Sequence, residues 1–171
     1  MLLVGCMTLS DLDVPTVDGF DHPLGAPDGV GYYDAQPFGH NDHLGADLNG
    51  VGGGATDLGD PVYAIANGRV VLAEDLGGGW GKVVILRHAL ADQSEITSLY
   101  AHLDELSVSL GDAVDRGDAL GTVGDADGVY IPHLHFEIRT DTSIGVGGGY
   151  SEDAEGWVDP MVFIRENRPE G

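Results

Sequence analysis

The 171-residue chain holds one cysteine, Cys6, one lysine, Lys82, and only seven Lys and Arg together against 29 Asp and Glu. Each shortage excludes something. A single cysteine cannot build an internal disulfide framework, and beyond Cys6 a closed thiolate zinc site is ruled out. A formal net charge of −22 repels nucleic-acid phosphates and anionic lipid surfaces, so neither is a partner read by charge. The acidity reads as a strongly solvated surface, with many aspartates in Gly/Asp turns such as "LGD" and "DADG". No EF-hand spacing is present. Lys82 follows "GGGWG" at the start of a strand and not at a hairpin tip, which excludes a lipoyl- or biotinyl-type carrier. No apolar run is long enough to span a membrane. No repeat at solenoid or propeller spacing is visible, and long amphipathic patterns are scarce.

Glycine is what the chain has in excess, 28 residues, and it punctuates short apolar runs. "PVYAIANGRVVLAED" reads as a strand, an Asn67-Gly68 hairpin turn and a second strand. "GWGKVVILRHAL", "ITSLYAHL" and "LSVSLGDAVDRGDALGTVG" continue the series, and "WVDPMVFI" reads as a short closing helical turn. Sequential short strands with tight turns predict a mainly β, antiparallel domain with little helix. Residues 1–36 show little periodicity and read as a tether or wrapping extension, 37–165 as the domain and 166–171 as a tail.

The chemistry concentrates in histidines. In "IPHLHFEIR" apolar and charged residues alternate, so Leu134, Phe136 and Ile138 share one strand face and His133, His135, Glu137 and Arg139 the other. The second face is expected to line a wet surface or groove. His133 and His135 are then about 7 Å apart at the backbone, close enough to serve one small site. Upstream, "HLGADLNG" places His43 four residues before Asp47, in a segment whose glycines disfavour a helix. Imidazole nitrogen and carboxylate oxygen are both zinc donors, and one histidine of the HxH strand completes a His₂Asp set with an open fourth position, the catalytic arrangement.

The ordered motifs His43-x-Gly45-x-Asp47, Tyr100-Ala101-His102-Leu103 and Pro132-His133-Leu134-His135-Phe136-Glu137 resemble those of the LytM/lysostaphin-type zinc metallopeptidases. "GDPVYAIANGRVV", "GWGKVVILRH" and "VSLGDAVDRGDALGTVG" are similar to that family's framework, and the resemblance runs from about Phe38 to Ile164. It implies one zinc ion held by His43, Asp47 and His135, with His102 and His133 as non-ligand catalytic histidines. It also implies a zinc-containing groove in an antiparallel β domain, and hydrolysis of peptide cross-links in bacterial peptidoglycan. Where the family carries a Thr/Ser-Thr-Gly run, this chain has Val129-Tyr130-Ile131, which together with the glycine-rich stretches at 49–60 ("NGVGGGATDLGD") and 145–149 is expected to alter the groove. The alternative is a non-catalytic member that binds and regulates another wall hydrolase; such relatives lack ligands, and here all five positions are filled.

The remaining histidines read differently. His40 fits the ligand spacing less well than His43, His88 ends an apolar strand as a structural residue, and His22 is a candidate to cap the metal from the extension. Leu3-Val4-Gly5-Cys6 resembles a lipoprotein lipobox, although the apolar stretch before it is short for a signal peptide. It implies export to the cell envelope and a lipid anchor at Cys6. The domain is expected to be a monomer.

Overall fold

The computed structural model describes residues 13–169, so Cys6 and its lipobox-like context lie outside the described residues. Among the described residues the chain forms a mainly antiparallel sheet of ten strands: β1 (Tyr32–Gln36), β2 (Ala46–Gly50), β3 (Pro61–Tyr63), β4 (Gly68–Asp75), β5 (Lys82–Ala89), β6 (Glu95–Leu106), β7 (Ala113–Val114), β8 (Ala119–Val123), β9 (Leu134–Arg139) and β10 (Trp157–Val158). The main order is β1-β2-β9-β6-β5-β4-β7, with β10 on β9 and β8 joining β6 to β3. A short helix, α1 (Pro160–Glu166), follows β10 where the closing turn is expected. The Asp159 side chain accepts from the Met161 and Val162 N–H groups, and Pro160 sits in the first turn, where a missing N–H costs nothing.

The strand β9 lies in the middle of the sheet, so its alternation divides two environments. Leu134, Phe136 and Ile138 are 0 % exposed and pack with Tyr100, Val84, Leu86 and Val70 in the main core. On the opposite side a smaller cluster of Val83, Ile85, Leu99 and Ala101 is closed by Trp80 and Val146. Here the wet-face expectation holds only at His133, just before the strand, since every residue of β9 is buried. Glu137 and Arg139 are also fully buried, because the 140–157 segment folds over them: Arg139 donates to the Gly145 and Val146 carbonyls and Trp157 Nε1 donates to Glu137. Alternation separates two faces; it does not tell whether a distant loop covers the polar one.

The Asn67-Gly68 hairpin does not form. The strand β3 pairs with β8, and β4 with β5 and β7. Neither Asn67 nor Gly68 adopts the positive φ that a type I′ turn requires. The Asn67 carboxamide is used in tertiary contacts instead, accepting from the Arg116 N–H and donating to the Thr16 carbonyl. Gly68 is needed for space, since a Cβ there would stand 2.9 Å from the Arg87 carbonyl.

Residues 13–31 of the N-terminal extension pack on the domain, and its last five residues are not a tether but β1, which pairs with β2, the neighbour of β9. Phe20 is buried against His88 and Phe163, and Arg116 pairs with Asp18 and Asp21. His22 packs beside Gly29 in this wrap and not over the histidine cluster.

His88 is structural, as its place in an apolar strand suggests. It is 0 % exposed, bonded to the Asn67 carbonyl and to Ser98, whose hydroxyl reaches Tyr100. Burial pushes its pKa down to about 4. Below about pH 6.5 the unfolded chain takes a proton that the folded one refuses, so stability falls as the pH drops from about 6.5 to about 4 and is unaffected by this group above that window. The expected cost is of order 3 kcal/mol. Thermal unfolding of chelator-treated wild type and His88→Gln across pH 4–7 measures it; parallel pH slopes in the two proteins would remove the assignment.

Candidate metal centre

Register assembles the site. Across β2 and β9, Asp47 stands opposite His135; across β6 and β9, Ala101 stands opposite the same His135. His43 enters from the segment before β2, which crosses β9 so closely that a Cβ on Gly45 would lie 2.5 Å from the Phe136 carbonyl. Only glycine permits that approach. His102 needs a different device. By alternation it would share the core face with Tyr100, but at φ 64° the backbone turns it out of the pattern where the β5–β6 register slips. The left-handed conformation costs roughly 1–2 kcal/mol and re-aims the ring, as irregularities beside active sites do.

His43 Nε2, His135 Nδ1 and Asp47 Oδ1 converge, at 3.0, 2.9 and 3.3 Å from one another. The other nitrogen of each ring is already held: His43 Nδ1 donates to the Gln36 carbonyl at 2.9 Å and His135 Nε2 to Glu137 Oε1 at 2.8 Å. Three lone pairs therefore face one point, and only a cation can satisfy them together. Ligands about 2.0–2.2 Å from a tetrahedral ion stand roughly 3.3–3.6 Å apart, so the atoms need spread by only a few tenths of an ångström. The donor set fits zinc: two neutral imidazoles with fixed tautomers, one carboxylate and no thiolate.

Without an ion, a proton takes its place. Burial works to lower the His135 pKa, but hydrogen bonds and charge from Asp47 and Glu137 outweigh it and push the imidazole up to about 9. Burial works to raise Asp47, and the bonds to His135 and His43 overcome that and hold its carboxyl well below the usual range. Nearby Asp34 on β1 is pushed up to about 6, by burial first and then by the charge of Asp47.

The cluster opens on a cleft of about 550 Å³. His102 and His133 line it, their rings 4.8 Å apart. Each spends Nδ1 on a backbone carbonyl, His102 on Trp80 at 3.3 Å and His133 on Ile131 at 2.8 Å, leaving Nε2 for the site. His133 Nε2 lies 3.7 Å from Asp47 Oδ1. Burial, followed by the neighbouring His133 and His135, pushes the His102 pKa down to about 3, so it stands neutral. Tyr130 and Ile131 border the cleft, as do Gly148 and Gly149, while of the 49–60 stretch only Asn49 does. The Tyr130 ring packs 4.9 Å from His102 and its hydroxyl reaches over Gly79. His40 is exposed and outside the cluster. Sequence reasoning missed Gln36, Trp80 and Tyr150 as lining residues and Glu137, Arg139 and Trp157 as the network behind His135; only the charged alternation of β9 hinted at the last group.

Residues 42–146 match the model of "Peptidase family M23". Lipoprotein NlpD of Yersinia enterocolitica is 38% identical over 85 residues, 50% of this chain and 82% of NlpD. The murein hydrolase activator EnvC of Escherichia coli is 38% identical over 121 residues, 68% of this chain but only 27% of EnvC. The fold superimposes on a zinc-containing peptidase from Vibrio cholerae with a TM-score of 0.57 and 26% identity, covering 70% of this chain and 36% of that one. The motifs that carried the resemblance to LytM/lysostaphin-type peptidases fall inside the matched region, and the chain belongs to peptidase family M23.

Proposed function

We propose that the chain is a zinc metalloendopeptidase that hydrolyses peptide cross-links of bacterial peptidoglycan, with His43, Asp47 and His135 as ligands to one zinc ion. The observation that carries this is the convergence of three lone pairs on one point at the floor of a cleft that two further histidines line. A zinc ion there supplies Lewis-acid polarisation of a peptide carbonyl and lowers the pKa of water to about 7.

The protein's own groups do the rest. His102, buried and neutral, is placed to accept a proton from the attacking water at Nε2. His133, at the cleft edge, presents Nε2 beside Asp47 and, in its imidazolium form, can donate that proton toward the oxyanion or leaving amine. Trp80, Tyr130 and Tyr150 give the walls aromatic surface for short-range contact with substrate. Such contact is what a chain of charge −22 needs against an anionic polymer.

In this reading residues 37–165 together with β1 are the catalytic domain, the residues before β1 lead to an anchor at Cys6, and a monomer is exported to the cell envelope. The relative named as a lipoprotein supports the location. The relative named as an activator raises the regulatory alternative, against which stands the filled ligand and histidine set. Zinc-reconstituted protein incubated with defined cross-linked muropeptides, followed by mass spectrometry, tests the proposal. Cleavage should appear, vanish with chelator and return with zinc. Stoichiometric zinc without cleavage, together with stimulation of a separate wall hydrolase, would establish the regulatory reading instead.

A further inference from the structure

The strand β9 completely buries a carboxylate and a guanidinium two residues apart, on the side of His135. Such a pair adds little stability over an apolar one and is costly unless every polar atom is bonded, so a use beyond stability is called for. Glu137 is fully bonded, and asymmetrically. Its Oε1 accepts from His135 Nε2 at 2.8 Å. Its Oε2 accepts from Arg139 Nε at 2.8 Å and from Trp157 Nε1 at 2.6 Å, and pairs with the charge on Arg139 Nη2 at 2.8 Å. Arg139 then donates from Nη1 to the Gly145 carbonyl and from Nη2 to the Val146 carbonyl at 2.7 Å. These carbonyls open the segment whose Gly148, Gly149 and Tyr150 line the cleft.

We propose that Glu137 and Arg139 are positioning residues: one buried network fixes the donor atom of His135 and holds the 145–150 wall of the cleft in place beside it. The proposal rests on His43, Asp47 and His135 holding a metal. Its logic is that Glu137 is the only member able to accept on both sides. A glutamine is the same size but must aim an NH₂ group one way. Aimed at Arg139 and Trp157, it meets two N–H donors and the guanidinium charge. Aimed at His135, it forces the ring proton from Nε2 to Nδ1, the atom needed for the ion. Neither orientation is compatible with an intact site. Arg139→Lys keeps the charge but loses the planar fork, so one ammonium cannot serve Glu137 and two carbonyls together.

Cobalt(II) titration followed by visible absorption tests this without relying on turnover. Wild type should bind one equivalent with the intense bands of a low-coordinate site. Glu137→Gln, checked for folding by thermal unfolding without metal, should bind roughly 10–100-fold more weakly, with altered bands. Arg139→Lys should bind cobalt less tightly and, on a cleaved muropeptide, raise KM more than it lowers kcat. A folded Glu137→Gln with wild-type cobalt affinity and spectrum would overturn the proposal. Should that variant not fold, Arg139→Lys decides it: unchanged cobalt affinity and unchanged KM would overturn it equally. If wild type itself takes up no cobalt, the His43–Asp47–His135 assignment has failed and this inference goes with it, an outcome distinct from a variant that binds as well as wild type.

Discussion

His135→Ala is expected to abolish stoichiometric zinc binding and all hydrolysis, while His102→Ala and His133→Ala keep the ion and lose turnover. The division follows from which nitrogen each ring has free and where it points. His135 Nδ1 lies within 3.0 Å of both His43 Nε2 and Asp47 Oδ1, whereas the His102 and His133 rings only flank that cluster. Structural zinc sites with four ligands bind with about 10–16 kcal/mol, so one ligand is worth roughly 3–4 kcal/mol, or about 10²–10³ in Kd. The loss also strands Glu137 without its His135 partner in a fully buried position. Zinc content after gel filtration, with affinity from competition against a chelating dye, measures the effect. His135→Ala retaining one tightly held zinc would mean that the ligand set is wrong.

Much of this site was legible in the sequence because its residues lie on elements whose geometry is periodic or whose glycines are diagnostic. The alternation around Phe136 placed Leu134 and Ile138 in the core and His135 on the other face, and the sheet keeps that division. The glycine between His43 and Asp47 is required by a backbone crossing that no other residue survives. Three things were not legible, each for a physical reason. His102 leaves the strand alternation through a positive φ, which no side-chain pattern encodes. Glu137 and Arg139 are dry because a segment about ten residues further along folds over them, a tertiary event invisible to a period of two. Asn67-Gly68 carries the strongest local hairpin signal, yet β3 pairs with β8 and β4 with β5, so tertiary pairing overrode the local preference.

His102→Ala should lower kcat by roughly 10²–10⁴ with zinc retained, the usual worth of a positioned general base, yet the acid limb of the pH–rate profile should not be the titration of His102. Burial, then the neighbouring His133 and His135, push its pKa down to about 3, so it is neutral over the whole range in which the fold is expected to work. A bound cation would only lower that value further. The group that senses acid is His135. In the ion-free protein its pKa is pushed up to about 9, against burial, by the carboxylates of Asp47 and Glu137. Below that value a binding ion must displace a proton from Nδ1, so apparent zinc affinity falls about tenfold for each unit of acidification through neutrality. Loss of activity in acid should therefore coincide with loss of the ion. The decisive measurement is kcat/KM against pH at two buffered free-zinc concentrations a hundredfold apart. If proton–zinc competition sets the limb, it moves to lower pH by up to about two units at the higher zinc level. A limb that stays fixed while zinc occupancy is complete would assign the titration to a catalytic group and overturn proton–zinc competition as its origin.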